Sequence, residues 1–351
     1  MNILYLGWVG ANNIGDELML NNFKKLSKEK YGDNNEILGV YPQGDISNLI
    51  NNSDMLCLGG GSILLEGFID ILYDGLEKGK KIMVWGSGYD GILGRDFIDR
   101  LEKSRISPYL YSDTTEFKLD EIAKNSEFFG VRGPLTYKIL EKSNVDISKI
   151  KISGDPGFLL DDYNGSIMGT NTNFKKSDKV VAVNIGTSYN RIYGGNEGRV
   201  LEGLVKVCDN LIVNGYTIYL YSLWSVDLKV QIELYKRLID KNKAILDLNI
   251  YDGEKLKSIL KNCVFSINLK LHGNIISATA DIPFICLGYR LKAYDFLKSI
   301  DLEQLNVPTD TEDIEDEIMK KVSYIENNYE SIKSKIKSKI DGYKIILKGS
   351  L

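Results

Sequence analysis

Short apolar runs recur through the first half of the chain, each closed by a polar or glycine-containing segment. Residues 2–7, 36–41, 55–59, 81–86, 128–132 and 150–154 have this form. Most carry apolar residues on both faces, as buried parallel strands do. Between the first two, residues 16–31 place Met19, Phe23 and Leu26 on one helical face. Strand–helix alternation predicts a parallel sheet covered on both sides. A second series starts at 180–186 and continues at 217–222, 244–251, 264–267 and 283–288, with helical patterns over 200–213, 227–240 and 254–261. The expected fold class is therefore α/β, with two tandem Rossmann-like domains at 1–165 and 178–308. The polar stretch 161–178 reads as their linker.

Beyond Pro308 the period changes. Ile314, Ile318, Val322, Ile325, Tyr329, Ile332, Ile336, Ile340, Tyr343 and Leu347 recur at spacings of three and four. This predicts C-terminal amphipathic helices over 309–351, with a break near Gly342. Lys333, Lys335, Lys337 and Lys339 read as a solvated face rather than a lipid-binding patch.

Composition narrows the classes. A length of 351 residues suits two domains, and 43% hydrophobic residues supply two cores. Lys+Arg 44 against Asp+Glu 48 leaves −4, which argues against a general nucleic-acid binder. Cys57, Cys208, Cys263 and Cys286 lie far apart and read as buried thiols of a cytoplasmic protein. The opening residues read as a strand rather than a signal peptide. No run approaches the ~20 apolar residues of a membrane span. His272 is the single histidine, which excludes most zinc hydrolases, and no metal site is expected.

The chemistry concentrates where strands end. A loop from Gly7 through Gly10, Asn13, Gly15 and Asp16 to Glu17 opens the first helix, whose free N–H groups suit an anion or a sugar hydroxyl. It has neither dinucleotide-fingerprint nor P-loop spacing, and Asp16 and Glu17 also suit the helix dipole. Gly59, Gly60, Gly61 and Ser62 follow the third strand. Three successive glycines resist explanation by packing, because each loses backbone entropy on folding. Gly86, Ser87 and Gly88 form a third such loop. Arg132 closes another strand, either to cap carbonyls or to bind an anion as a fork. Asp155 before Pro156 suits a turn. His272 falls near a helix start, two residues after Lys270, and reads as a proton donor, a phosphate ligand or an incidental histidine. Tyr289, Arg290 and Lys292 follow the next strand. The cations together suit a small, multiply charged anion in a cleft at the carboxyl ends of the sheets.

In this order, these pieces resemble the polysaccharide pyruvyl transferases from Gly7 to about Leu302. The resemblance rests on Gly10-x-x-Asn13-x-Gly15-Asp16-Glu17, Gly59-Gly60-Gly61-Ser62, Val131-Arg132, Gly154-Asp155-Pro156 with Phe158-Leu159-Leu160, and Leu271-His272 through Ile282-Pro283 to Tyr289 and Lys292. Lys270 departs from it: the family commonly has arginine there, so charge is kept and the fork is lost. The resemblance implies a GT-B-type architecture, with the acceptor on the N-terminal side and the donor on the C-terminal side. It implies transfer of pyruvate from phosphoenolpyruvate to two sugar hydroxyls, as a ketal on a cell-surface or capsular glycan precursor. Phosphoenolpyruvate is then a co-substrate, and no other cofactor is expected. Such chemistry needs an acid and a base. His272 is the natural acid and Asp16 the candidate for the acceptor hydroxyl. Arg132, Lys270, Leu271, Gly273, Asn274, Tyr289, Arg290 and Lys292 are assigned to the donor. Asn13, Gly15, Glu17, Gly60, Gly61, Ser62, Gly86 and Ser87 are assigned to acceptor or cleft loops. A lipid-linked oligosaccharide acceptor is implied by the family alone, and contact with the inner membrane face stays open, as do the sugar and the oligomeric state. Two rivals remain: a GT-B glycosyltransferase using a nucleotide sugar, with Asp281 or Asp295 at the ribose, and a non-catalytic glycan-binding subunit.

Overall fold

The computed structural model describes residues 1–91, 94–103, 110–165, 172 and 174–351. They form two compact units, Met1–Leu159 with Asp341–Leu351, and Leu160–Ile340. The division falls at the start of the expected linker.

The first unit holds β1 (Asn2–Leu6), β2 (Glu36–Val40), β3 (Met55–Leu58), β4 (Lys81–Ser87), β5 (Phe128–Val131) and β6 (Ile150–Ile152). They make one parallel sheet in the order β2-β1-β3-β4-β5-β6. β3 is buried at every position because helices cover both faces, whereas β2 lies at the edge and is partly exposed. The second unit holds β7 (Val180–Asn184), β8 (Thr217–Leu220), β9 (Ala244–Leu246), β10 (Phe265–Asn268), β11 (Phe284–Gly288) and β12 (Asn306–Pro308). They are also parallel, in the order β12-β11-β10-β7-β8-β9. Strand order reverses between β1 and β3, and between β7 and β10. Each reversal opens a crevice at the carboxyl ends, the place where such sheets bind ligands. Two Rossmann-like units of the expected α/β class are therefore present.

Several element ends differ from expectation for local reasons. β9 stops at Leu246 rather than 251, because Asp247 accepts from the Asn249 N–H at 3.0 Å and from the Tyr251 hydroxyl at 2.9 Å, folding the chain back. β4 runs through Ser87, so Gly86 and Ser87 lie within a strand and not in an open loop. Gly86 (φ +73°) is the extra residue at a bulge against β5. β12 is a short strand that the apolar pattern does not predict.

The C-terminal helix is Ile314–Lys348 and passes Gly342 without interruption. The irregular residue is instead Asn328 (φ −128°, ψ 19°), whose amide donates to the Tyr324 carbonyl at 2.9 Å, where it competes with the backbone. The end of this helix completes the first unit's core. Leu347 packs with Tyr5, Phe23 and Trp85, and Trp85 Nε1 donates to Ser350 Oγ at 3.0 Å. Tyr343 stacks on Phe158 with centroids 5.8 Å apart. In the second unit, Lys333 and Lys339 of the helix pair with Asp281 and Asp301, Lys335 donates to the Asp301 carbonyl at 2.8 Å, and Lys337 is exposed. All four cysteines are buried, and burial pushes each thiol up. Among the described residues no helix is long and apolar enough to cross a membrane.

Two tests follow. Leu347→Ala is expected to lower stability by about 2–5 kcal/mol in denaturant unfolding, because Leu347 is fully buried. Asp162 binds the Lys261 and Lys257 ammonium groups at 2.6 and 2.9 Å, and these hold its carboxyl down at about 2, against an ordinary 3.8. A lowered value favours the ionised form in the fold, so the contribution is complete above 3.8 and is lost as pH falls through about 2. Asp162→Asn should therefore be less stable than the parent at neutral pH, with the difference closing across that window in pH-dependent unfolding.

Candidate functional site

His272 is the second residue of the helix Leu271–Thr279, which starts directly after β10. A buried polar network sets this helix in place. The Tyr221 hydroxyl donates to Asn268 Oδ1 at 2.7 Å, and Asn268 Nδ2 donates to Ser266 Oγ at 2.8 Å. Ser266 and Ser277 share a hydrogen bond of 2.7 Å, and Ser277 Oγ donates to the Gly273 carbonyl at 2.7 Å. Asn184 accepts from the Lys270 N–H at 3.3 Å and donates to the Tyr221 carbonyl at 3.0 Å. Gln231 donates to the Val183 and Tyr221 carbonyls. These polar side chains are almost completely inaccessible, and burial pushes the Tyr221 hydroxyl up. A satisfied buried network of this kind fixes geometry, since any displacement leaves polar groups unpaired. Gly273 lets the helix settle onto it: a Cβ there would lie 3.0 Å from Tyr221 Oη and 3.1 Å from Asn268 Cβ. The half-buried His272 is thus held in the first turn, where the helix dipole favours an anion.

The residue before this helix is committed to the protein itself. Lys270 Nζ lies 3.2 Å from Asp227 Oδ1, donates to the Thr187 carbonyl at 2.5 Å, and sits 5.7 Å from the centre of the Trp224 ring. Asp227 is fully buried. Burial raises its carboxyl, and Lys270 with the Thr187 N–H (2.9 Å) offsets this in part. Gly186 is required beside the pair, because a Cβ there would lie 2.4 Å from the Asp227 carboxyl and 2.5 Å from Lys270 Cε. Glu197 completes the loop after β7, accepting from the Thr187 hydroxyl at 2.8 Å and from the Ser188 N–H. On this loop a cavity of about 520 Å³ is lined by Thr187, Tyr189, Leu201, Val226, Lys229, Val230 and Glu233.

The other donor candidates in this unit differ in access. Leu271 and Tyr289 are buried. Asn274 is also buried, its amide 3.4 Å from the Lys270 carbonyl. The Tyr289 carbonyl accepts from the Tyr193 N–H at 2.9 Å, and Lys292 Nζ lies 5.2 Å from the Tyr289 ring centre. Arg290 directly precedes the helix Leu291–Ser299 and, like Lys292, is half-buried. At the ends of β10 and β11, His272, Arg290 and Lys292 are accordingly the half-buried candidates not committed to the Asp227 pair.

In the first unit the loops are built by the same means. Asn13 caps the helix Ile14–Tyr31, its side chain accepting from the Gly15 N–H at 3.2 Å. Glu17 accepts from the Gly10 N–H at 2.7 Å, so it holds the loop, and Asp16 is half-buried in the same turn. The triple glycine has a packing explanation after all. A Cβ on Gly59 would lie 2.1 Å from the Tyr5 hydroxyl, one on Gly60 2.3 Å from Met19 Sδ, and Gly61 has φ +107°. The Gly61 position faces Asp16, with Oδ1 3.6 Å from where its Cβ would stand. Arg132 is 1% exposed, an interior group rather than an open fork. It donates to Ser62 Oγ at 3.0 Å and lies 3.9 Å from Asp155 Oδ2. Burial raises the Asp155 carboxyl, and Arg132 opposes this. A Cβ on Gly88 would lie 2.7 Å from the Arg132 guanidinium. Ser87 is fully buried and donates to the Gly59 carbonyl.

Sequence reasoning missed Asp227, Gly186, Thr187 and Glu197. The glycine closing β7 was their one visible signal, and it matches the glycines at the other strand ends.

Two parallel Rossmann-like units with glycine-shaped loops at their carboxyl edges place the protein in the GT-B fold class of glycosyltransferases and epimerases. S. aureus MnaA in its UDP co-structure is similar at a TM-score of 0.61 and 12% identity, covering 95% of this chain and 90% of that one. UDP-GlcNAc 2-epimerase from Neisseria meningitidis, bound to UDP-GlcNAc, is similar at 0.58 and 10%, covering 96% and 94%. At these identities the likeness carries the fold alone. Residues 13–290 match the family model of the polysaccharide pyruvyl transferases, and the chain belongs to that family. The amylovoran biosynthesis protein AmsJ of Erwinia amylovora is 21% identical over 230 residues, which are 62% of this chain and 55% of that protein. The chain thus spans about half the length of this relative.

Replacing Lys270 with methionine strands a buried carboxylate, which is expected to lower stability by about 3–5 kcal/mol in denaturant unfolding. Adding Asp227→Asn should recover part of the loss. Equal stability of Lys270→Met and the parent would show that the pair does not hold the loop.

Proposed function

We propose that the protein transfers the pyruvyl group of phosphoenolpyruvate to two hydroxyls of one sugar in a glycan, forming a cyclic ketal. The observation that carries this reading is the single histidine, fixed in the first turn of a helix at the end of β10, in a chain that belongs to the polysaccharide pyruvyl transferases. Phosphoenolpyruvate carries a phosphate and a carboxylate close together. Helix N–H groups at His272, with Arg290 and Lys292, supply complementary donors. Leu271, Gly273, Asn274 and Tyr289 shape this donor side, and Lys270 positions the turn through Asp227.

The chemistry balances with two hydroxyls and one enol. His272 delivers a proton to the terminal enol carbon, which becomes a methyl group, and the first sugar oxygen bonds to the neighbouring carbon and releases its proton. The carbon–oxygen bond to phosphate then breaks, and the second sugar oxygen takes its place. Its proton leaves with inorganic phosphate. Asp16 is assigned as acceptor of a sugar hydroxyl proton. Asn13, Gly15, Glu17, Gly60, Gly61, Ser62, Gly86 and Ser87 shape the acceptor side, and Arg132 stiffens it through Ser62. The acceptor is a precursor of a cell-surface glycan.

The test is incubation of the full chain with phosphoenolpyruvate and a panel of free and lipid-linked oligosaccharides, followed by mass spectrometry and phosphate assay. A pyruvyl adduct with matching phosphate release is expected. His272→Gln should lose about a hundredfold or more in turnover, the scale for a removed general acid, with donor binding less affected. Transfer from a sugar nucleotide without phosphoenolpyruvate would replace this reading with that of a glycosyltransferase.

A further inference from the structure

Trp8 stands in the first loop after β1 and is 45% exposed. Its indole stacks on Tyr41, with ring centroids 4.3 Å apart and planes at 24°. Tyr41 follows β2, the neighbour of β1 in the sheet, and has Phe68 at 6.4 Å. Tyr41 therefore covers one indole face, while nearly half of the residue remains exposed. A large aromatic held flat at a strand-end crevice is informative where scattered exposed aliphatics are not. The loop holding it is well tied. The Gly7 N–H donates to the Val40 carbonyl at 3.0 Å, and Glu17 accepts from the Gly10 N–H. Val9 packs against the unit's core, so the chain presents Trp8 and anchors the side chain after it. Asn12, exposed at φ +54°, and the half-buried Asn13 follow in the same loop.

We propose that the Trp8–Tyr41 stack is a saccharide platform that receives a sugar ring of the glycan acceptor. A pyranose has a face of C–H groups and an edge of hydroxyls. The flat, rigid indole matches the face at little cost in conformational entropy, and the Asn12 and Asn13 amides suit the edge. The charged groups of this loop, Asp16 and Glu17, are acidic, which favours a neutral ring over an anionic one. That the bound sugar belongs to the acceptor rests on the pyruvyl-transfer reading. The platform itself does not.

The experiment titrates the full chain with neutral oligosaccharides of glucose, galactose, mannose and N-acetylhexosamines, read by tryptophan emission and calorimetry. Trp85 is fully buried, and Trp8→Phe separates the Trp8 signal from the rest. At least one saccharide should change the emission saturably. Trp8→Ala should weaken that binding about tenfold, and Trp8→Phe should retain most of it. The rise in unfolding temperature with phosphoenolpyruvate should be unchanged in Trp8→Ala. Equal affinity of Trp8→Ala and the parent overturns the platform, as does absence of saccharide binding to the parent. Loss of self-association in Trp8→Ala, in place of loss of saccharide binding, overturns it too. Saccharide binding that depends on Trp8 without any pyruvyl adduct upholds the platform and removes the transfer reading instead.

Discussion

The loop and helix geometry of the second unit depends on one buried charge. The Asp227 carboxylate has no access to water, and a buried carboxylate is tolerated only with a cation and hydrogen-bond donors around it. Lys270 and the Thr187 N–H provide them. The pair closes so tightly that position 186 admits only glycine, and Thr187 is drawn toward Lys270 by its carbonyl. Since Lys270 immediately precedes the helix of His272, the same charge that orders the loop after β7 fixes the start of that helix. In this structure the Lys270 ammonium is engaged by Asp227 and the Thr187 carbonyl.

The first unit repeats the device with different residues. Asp155 is buried, Arg132 is its cation, and Gly88 makes room for the guanidinium. Arg132 also bonds Ser62 at the end of the triple-glycine loop. In both units a buried carboxylate–cation pair stands behind a glycine at a strand end and holds a loop at the carboxyl edge. Rigid loops of this kind suit sites that must present N–H groups and side chains without reorganising.

Much of the fold is legible in the sequence because buried parallel strands are short apolar runs, and β1, β3 and β7 are found almost to the residue. The errors fall where a side chain, not the apolar pattern, decides the outcome. Asp247 ends β9, Gly86 is absorbed by a bulge, and Asn328 rather than Gly342 disturbs the last helix. The site is legible to the level of which loops matter. Whether a cation faces outward or inward is not legible, since Arg132 and Lys270 are turned inward by carboxylates distant in sequence. The triple glycine shows the same limit: Tyr5 and Met19, which exclude side chains at Gly59 and Gly60, come from other elements.

Because His272 is the single histidine, its imidazole gives an isolated magnetic-resonance signal that reports on the first turn of its helix. Titration of the full chain with phosphoenolpyruvate is the most direct test of where the donor binds. With the donor bound at His272, the imidazole resonances move saturably and the ring holds its proton to higher pH beside the anion. Unmoved resonances, at concentrations where phosphoenolpyruvate still raises the unfolding temperature, would contradict it and move the donor away from His272.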